Sequence, residues 1–285
     1  MINIVKKLRS ILKKNKITYL IDSDDYKDFL IYSLKDEKIL GLDTEFDWRK
    51  TYFPTLCLLQ IATKKNVFLI DCIKCKDLIF LKQILEDKKK LLIFHSSRSD
   101  ATVLNTNLKI KVKNIFDIQI AEKLLFGGEI KNYGTLVKNY LNIFLKKSET
   151  NSNWLNRPFS SEQLSYASED VSYLIEIYQE QKKVLKKKNL FKKTLEKSKK
   201  EVFYGNQELH ISRLKKLKNI SKIEKKIFLW RESYASKNNI PPSHVLRDKE
   251  LKNISKEIKN HDKKSLSSIF NNKKAFQDFI IEMYI

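Results

Sequence analysis

The sequence predicts an α/β protein, a mixed β-sheet flanked by helices, followed by a small all-α domain. Three observations carry that prediction. Apolar runs of strand length cluster in the first half of the chain, with helical patterns between and after them. Beyond Leu209 no strand alternation recurs, and short helical patterns break at Pro241-Pro242. Between these regions, Gln181 to Lys200 holds ten Lys and one Glu on a helical pattern, and Gly205 follows as the only glycine after Gly134. The expected divisions are an α/β domain over 1–185, a basic helical linker over 186–205 and a helical domain over 206–285.

Each element has a local reason. The N-terminal stretch places Ile4, Val5, Leu8, Ile11 and Leu12 on one helical face. It resembles an organellar transit peptide, but a docked first helix from Ile2 to Leu12 is the expectation. Ile17 to Ile21 reads as a strand, and Asp22-Ser23-Asp24 offers caps for a helix to Leu34. Ile39 to Phe46 is an apolar run into which acids intrude. Leu56 to Ala62 and Val67 to Ile70 form a strand pair around the turn Thr63 to Asn66. A helix is expected over Asp77 to Asp87, a strand over Lys90 to His95 and a helix beginning over Asp100 to Asn105. Ile115-Phe116-Asp117 leads into an apolar helix ending at Gly127-Gly128, and Tyr133 to Leu141 is helical. After an irregular stretch from Lys146 to Ser160, one helix is expected from Ser161 into the 190s.

Composition excludes several classes. The 285 residues are 42% hydrophobic and 32% charged, a globular composition. No apolar run reaches the ~18 residues that read as a membrane span. Cys57, Cys72 and Cys75 are too few for a disulfide framework, which predicts a reducing, cytoplasmic setting. Cys72 and Cys75 form a C-x-x-C without a second ligand pair, so neither a zinc nor a redox site is expected. Fifty-seven cations against 34 acids leave a charge of +23, which predicts an anionic partner, nucleic acid before membrane. Only seven cations are Arg, so a lysine-inflating compositional bias contributes to that charge. The charge is also uneven: residues 1–180 carry +6 and residues 181–285 carry +17.

The chemistry begins at Asp43-Thr44-Glu45. On a strand, residues two apart share a face, so both carboxylates project together. Following Ile39, Leu40 and Leu42, the pair repels itself unless a cation neutralises it or the strand end faces water. Tyr166 and Asp170 are i and i+4 on a helix, in a stretch from Ser161 to Glu180 with no Lys or Arg. That face serves a metal or is the side of an ordinary amphipathic helix. Asp100 follows a buried strand through a Ser-Ser-Arg-Ser loop and reads as a helix cap, a ligand, or both.

The order of these acids resembles the three motifs of the DEDD 3′–5′ exonucleases, tyrosine subclass. The stretches Phe116 to Ala121, Tyr133 to Val137, Lys147 to Arg157-Pro158 and Gln163 to Ala167 are similar to ribonuclease D. The resemblance covers about residues 17 to 185. Arg213-Leu214, Leu229 to Glu232 and Pro241 to Leu246 resemble the HRDC helical module. The resemblance implies a ribonuclease H-like sheet domain followed by an HRDC-like domain. It implies two divalent ions, Mg²⁺ or Mn²⁺, held by Asp43, Glu45, Asp100 and Asp170, with Tyr166 orienting the attacking water. The implied activity is trimming of RNA 3′ ends, tRNA precursors first, with release of nucleoside 5′-monophosphates. A DNA-directed exonuclease and a non-catalytic RNA-binding protein are the alternatives. Phe46 and Trp48 are candidates to stack on the terminal base or to be buried in the core. His95, Arg98 and Arg157 complete the substrate-binding candidates, the arginines because bidentate phosphate contacts favour guanidinium. Oligomeric state is left open.

Overall fold

The computed structural model describes residues 7–9, 16–145, 149, 151–260, 263–270 and 273–284. The chain divides into two compact units. The first comprises residues 1–47 and 55–206, and the second comprises 48–54 and 207–285.

The first unit is built on one mixed sheet. Its strands are β1 (Lys7–Arg9), β2 (Ile17–Ile21), β3 (Ile39–Asp47), β4 (Thr55–Ala62), β5 (Asn66–Asp71), β6 (Leu91–Phe94) and β7 (Ile115–Asp117). They lie in the order β1-β2-β5-β4-β3-β6-β7. The β3, β4 and β5 pairings are antiparallel, and β2–β5, β3–β6 and β6–β7 are parallel. Both faces are covered, which is why these strands read as nearly continuous apolar runs. On one face Leu40, Leu42, Leu59 and Ile61 pack with Leu30 and Leu34 of α1 (Lys27–Leu34) and Ala101 and Leu104 of α3 (Arg98–Leu108). On the other, Leu58, Ala62, Leu69 and Ile93 pack with Ala167 and Val171 of α6 (Ser161–Ser172) and Leu174 and Ile177 of α7 (Leu174–Lys187).

Several expectations need correction. The expected helix over Ile2 to Leu12 gives way, where the chain is described, to β1, paired antiparallel with β2; the rest of that stretch lies outside the described residues. A strand there satisfies the backbone groups of the β2 edge, which a helix cannot do. Of Asp77 to Asp87 only α2 (Leu81–Leu85) is helical. Within the expected irregular stretch, 146–148 and 150 lie outside the described residues. The long helix from Ser161 is three: α6, α7 and α8 (Phe191–Gly205), with breaks at Tyr173 and at Lys188 to Leu190. Remaining helices of this unit are α4 (Ile118–Phe126) and α5 (Tyr133–Leu141), matching the sequence reading.

The run expected to be a linker, 186–205, instead belongs to the first unit. One face of α8 is lysine, but the other buries Thr194, Ser198 and Val202. Ser198 accepts the Asp117 N–H at 3.0 Å. Gly205 explains the close seat of α8 on α3: a Cβ there would collide with the Arg98 carbonyl and stand 2.9 Å from Ala101 Cβ. Thr102 Oγ1 donates to the Gly205 carbonyl at 2.8 Å. Gly205→Ala is therefore expected to destabilise the fold by about 1–3 kcal/mol through overpacking, read by urea unfolding. An unchanged midpoint would show that the seat is not tight.

The second unit is all-helical apart from its short 48–54 segment. It contains α9 (Leu209–Leu214), α10 (Lys222–Lys237), α11 (Pro242–Val245), α12 (Glu250–Lys259), α13 (Lys263–Ile269) and α14 (Lys273–Tyr284). Trp230, Phe228, Val245, Ile254 and Phe279 form its core. Glu232, 2% exposed, accepts from Arg213 at 2.7 Å, Arg231 at 2.9 Å and the Tyr52 hydroxyl at 3.0 Å. A buried carboxylate is tolerated because two guanidiniums and a hydroxyl satisfy it. Among the described residues no helix is long and apolar enough to cross a membrane.

Candidate active site

The acid pair is exposed to its partners by strand lengths. β6 pairs with β3 only from Ile39 to Gly41, so β3 runs on past its neighbour with one edge open. Asp43 and Glu45 stand on that overhang, on the face covered by α6. The register shifts immediately after Glu45, a bulge of the kind that re-aims side chains beside functional sites. Two residues before Asp43, Gly41 lets the α6–α7 junction approach closely: a Cβ there would lie 3.1 Å from Leu174 Cβ and 3.3 Å from the Val171 carbonyl. That approach brings Asp170 to the pair. Carboxylate oxygens of Asp43, Glu45 and Asp170 lie within 4.8 Å of one another, a spacing that one cation can bridge.

Asp100 arrives from the other side of the sheet. It sits in the first turn of α3, 4% exposed, and accepts the Thr44 hydroxyl at 2.7 Å. Thr44 alternates away from Asp43 and Glu45, so one strand addresses both groups of acids. The loop that delivers Asp100 is pinned by Asp117, which accepts Ser96 N–H at 3.1 Å, Ser97 N–H at 2.8 Å and the Ser97 hydroxyl at 3.0 Å. The same carboxylate caps α4 through Gln119 N–H at 2.9 Å. Pinning offsets the left-handed backbone of Ser96, at φ 67°.

Electrostatics are those of a site waiting for positive charge. Burial pushes the Asp43 carboxyl well above the usual range, and Asp100, Asp170 and Glu45 push it further. Burial and then the charges of Asp170 and Asp100 raise Glu45 to about 9. Burial raises Asp170 to about 7, against the Tyr166 hydroxyl bond that lowers it and with Glu169 adding to the rise. Burial raises Asp100 to about 6, although the Thr44 hydrogen bond opposes this. No Lys or Arg is ion-paired with any of the four among the described residues. Buried oxygen donors without a counter-charge suit hard divalent cations. The carboxyls present therefore fit such ions.

The substrate-binding candidates fare unevenly. Phe46 is half-buried against the core face that Leu40 and Leu42 line, rather than beside the acid pair. Trp48 belongs to the second unit, where its indole N–H donates to the Tyr52 carbonyl at 2.9 Å and Arg213 stands 5.8 Å over its ring. His95 holds the Lys131 carbonyl at 3.1 Å through Nε2, and burial lowers its pKa. Arg98 donates Nε to Glu201 at 2.6 Å and joins α3 to α8.

Arg157 is a clear correction. All of its N–H donors are spent on the protein: Nε and Nη2 on Asp71 at 2.6 and 2.8 Å, Nη2 on the Cys57 carbonyl, Nη1 on the Trp154 and Asn156 carbonyls. Its guanidinium also stacks 3.8 Å over Phe159. The planar fork is used to tie the 154–157 loop to the sheet, not to grip phosphate. Lysine cannot reproduce that fork. Arg157→Lys is expected to cost about 2–3 kcal/mol, the worth of a charged hydrogen-bond set, in a urea titration. A wild-type midpoint would refute the assignment.

Four supporting residues were not singled out from sequence: Thr44, Asp117, Tyr133 and Gln60. The Tyr133 hydroxyl donates to the Glu169 carbonyl at 3.2 Å and accepts Tyr173 N–H at 3.1 Å, bridging the α6–α7 break beside Asp170. Burial, with the Asp170 charge nearby, holds that hydroxyl protonated. Gln60 pairs across the strands with Asp43 and is fully buried, with neither amide atom hydrogen-bonded among the described residues. A lone amide in the apolar run Leu58 to Ala62 was the available signal.

The geometry agrees with what known proteins share with this chain. The family model described as 3′–5′ exonuclease matches residues 18–186. Ribonuclease D of Desulfotalea psychrophila is 34% identical over 242 residues, covering 79% of this chain and 63% of that protein. Ribonuclease D of Bartonella henselae is 29% identical over 254 residues, covering 82% and 60%. The chain thus spans about six-tenths of the length of these two relatives. In fold it is similar to Escherichia coli RNase D, an exoribonuclease involved in structured RNA processing, with a TM-score of 0.81 at 22% identity over 93% of this chain and 72% of that one. It is also similar to the catalytic core of RRP6 from Trypanosoma brucei, with a TM-score of 0.69 at 20% identity over 99% and 84%. With a match over more than half its length and the acids gathered on one sheet edge, the chain belongs to the 3′–5′ exonuclease family.

Proposed function

We propose that this protein is a metal-dependent 3′–5′ exoribonuclease that releases nucleoside 5′-monophosphates, acting on the 3′ ends of structured RNA such as tRNA precursors. The observation that carries the reading is the gathering of Asp43, Glu45 and Asp170 within 4.8 Å, with Asp100 bound to the intervening Thr44. Bound divalent cations, two Mg²⁺ or Mn²⁺ in this reading, supply charge stabilisation at the attacked phosphate and acidify a water near neutrality. Asp43, Glu45 and Asp170 are the residues that hold them, and Asp100, fixed by Thr44, completes the set. Tyr166 donates to Asp170, which holds its hydroxyl beside the cluster, where it orients the attacking water. Its role is position rather than proton abstraction, since a phenol titrates near ~10. The helical unit, similar in motif to HRDC modules, carries about half of the positive charge and contributes salt-sensitive phosphate contacts. A cytoplasmic site of action fits the free cysteines.

The test is direct. A 3′-extended tRNA and a matched single-stranded DNA are incubated with the protein in Mg²⁺, Mn²⁺ or EDTA. Stepwise 3′ shortening of the RNA with either ion, and none in EDTA, is expected. Shortening of DNA alone would make it an exodeoxyribonuclease. No shortening of either polymer in any metal would leave a non-catalytic RNA-binding protein.

A further inference from the structure

A cavity of about 580 Å³ lies between α4 and α8, away from the carboxylates. Ile120, Leu124 and Tyr204 make an apolar floor, and Lys123, Lys197 and Lys200 make the rim. The rim lysines are exposed, whereas the floor residues are half-buried. The acid in the lining, Glu201, is neutralised by Arg98. The groove is therefore cationic at its edges and apolar and aromatic at its base. Its size falls in the range of ~300–1,000 Å³ typical of ligand pockets.

Its position links it to the acids. Arg98, two residues before Asp100, pairs with Glu201, and its guanidinium lies 5.2 Å from the Tyr204 ring centre. Gly205 holds the end of α8 against the Arg98 carbonyl. One end of the groove thus abuts the helix turn that carries Asp100. An RNA strand with its 3′ terminus at the acids must leave in some direction, and its phosphates avoid acidic surface. This groove offers a base platform beside three cations, the combination that single-stranded nucleic acid requires.

We infer that the α4–α8 groove seats a nucleotide of the substrate strand upstream of the scissile bond, its base against Leu124 and Tyr204 and its phosphates among Lys123, Lys197 and Lys200. The inference rests on the exoribonuclease reading above. It gives part of the lysine run a specific task. Other lysines of that run face solvent: Lys186, Lys187 and Lys192 are exposed and do not line the groove.

Two triple variants of equal charge separate a built groove from general attraction. One is Lys123→Gln/Lys197→Gln/Lys200→Gln and the other is Lys186→Gln/Lys187→Gln/Lys192→Gln. Each is made in an Asp170→Asn background, and binding of a fluorescent single-stranded RNA 12-mer is followed by anisotropy across a salt series in Mg²⁺. The groove variant should bind at least ~10-fold more weakly at 0.1 M salt, with the log–log salt slope reduced by about 2, as expected for three lost phosphate contacts. The control variant should change affinity less than ~3-fold. Equal losses in both, or none in either, would overturn the groove. Circular dichroism of the variants checks that they fold. With Asp170 restored, turnover of the 12-mer at saturating RNA should match wild type in both triples. If wild type itself leaves RNA intact, the catalytic reading fails while the binding result still decides the groove.

Discussion

Asp43→Asn and Asp170→Asn, each made singly, should abolish 3′ shortening while making the metal-free protein more stable. Each removes one oxygen charge from the cluster that holds the cations. Loss of several kcal/mol of transition-state charge stabilisation corresponds to a fall of ~10³-fold or more in turnover. The stability effect has the opposite sign. Asp43 is buried and repelled by three neighbouring carboxyls, and Asp170 is raised to about 7 chiefly by burial. Replacing either with a neutral amide of the same shape removes repulsion, so the melting temperature in EDTA at pH 8 should rise. This is the usual trade at a site strained for function. Inactive variants that melt lower than wild type would point to structural carboxylates instead. Inactivity is to be read with the RNA substrate in excess Mn²⁺, so that a merely weakened ion site is saturated.

Stability of the metal-free protein should also fall as pH rises from about 5 to about 9, and divalent ions should reverse the fall. A carboxyl whose folded pKa exceeds its unfolded value binds its proton more tightly when folded. The stabilisation from that proton is complete below the unfolded value near ~4 and is lost as pH rises through the folded value. Here the folded values are about 6 for Asp100, about 7 for Asp170 and about 9 for Glu45. The loss therefore spreads across pH 5 to 9. A few kcal/mol of destabilisation should lower the melting temperature by about 5–10 °C over this range, at ~2–4 °C per kcal/mol. Mg²⁺ or Mn²⁺ binds only the deprotonated cluster, so its stabilising shift should grow with pH. Calorimetric scans at pH 5, 7 and 9 with EDTA or excess Mn²⁺ measure both. A melting temperature that rises with pH in EDTA would contradict the buried-acid account.

Local patterns carried much of the architecture. The strands from Ile17 to Ile21, Leu56 to Ala62 and Leu91 to Phe94 were legible because they are apolar but for Thr18 and Gln60, as strands of a covered sheet are. The apolar run after Ile115-Phe116-Asp117 and the glycine stop at Gly127 placed α4 from short-range rules alone. The breaks at Tyr173 and Lys188 were not legible. Helical periodicity passes through both; Tyr133 bridges the first break, and left-handed Asn189, at φ 56°, turns the chain at the second. The segment expected to be a linker misled for a related reason. Its lysines are conspicuous, whereas the burial of Thr194, Ser198 and Val202 depends on α3 and β7 being present to receive them.

Sequence by itself singled out the acids that the fold gathers, because carboxylates intruding on apolar strands and helices are costly without a purpose. Asp43, Glu45, Asp100, Tyr166 and Asp170 could all be named from that conflict and from their resemblance to known motifs. Tertiary structure alone decided what the other polar residues do. Arg157 and Arg98 looked like phosphate ligands, yet Arg157 ties a loop to the sheet and Arg98 joins α3 to α8. Residue type states what a side chain can bond. Only the fold determines which partner stands within about 3 Å, because these two partners lie 103 and 86 residues away in the chain.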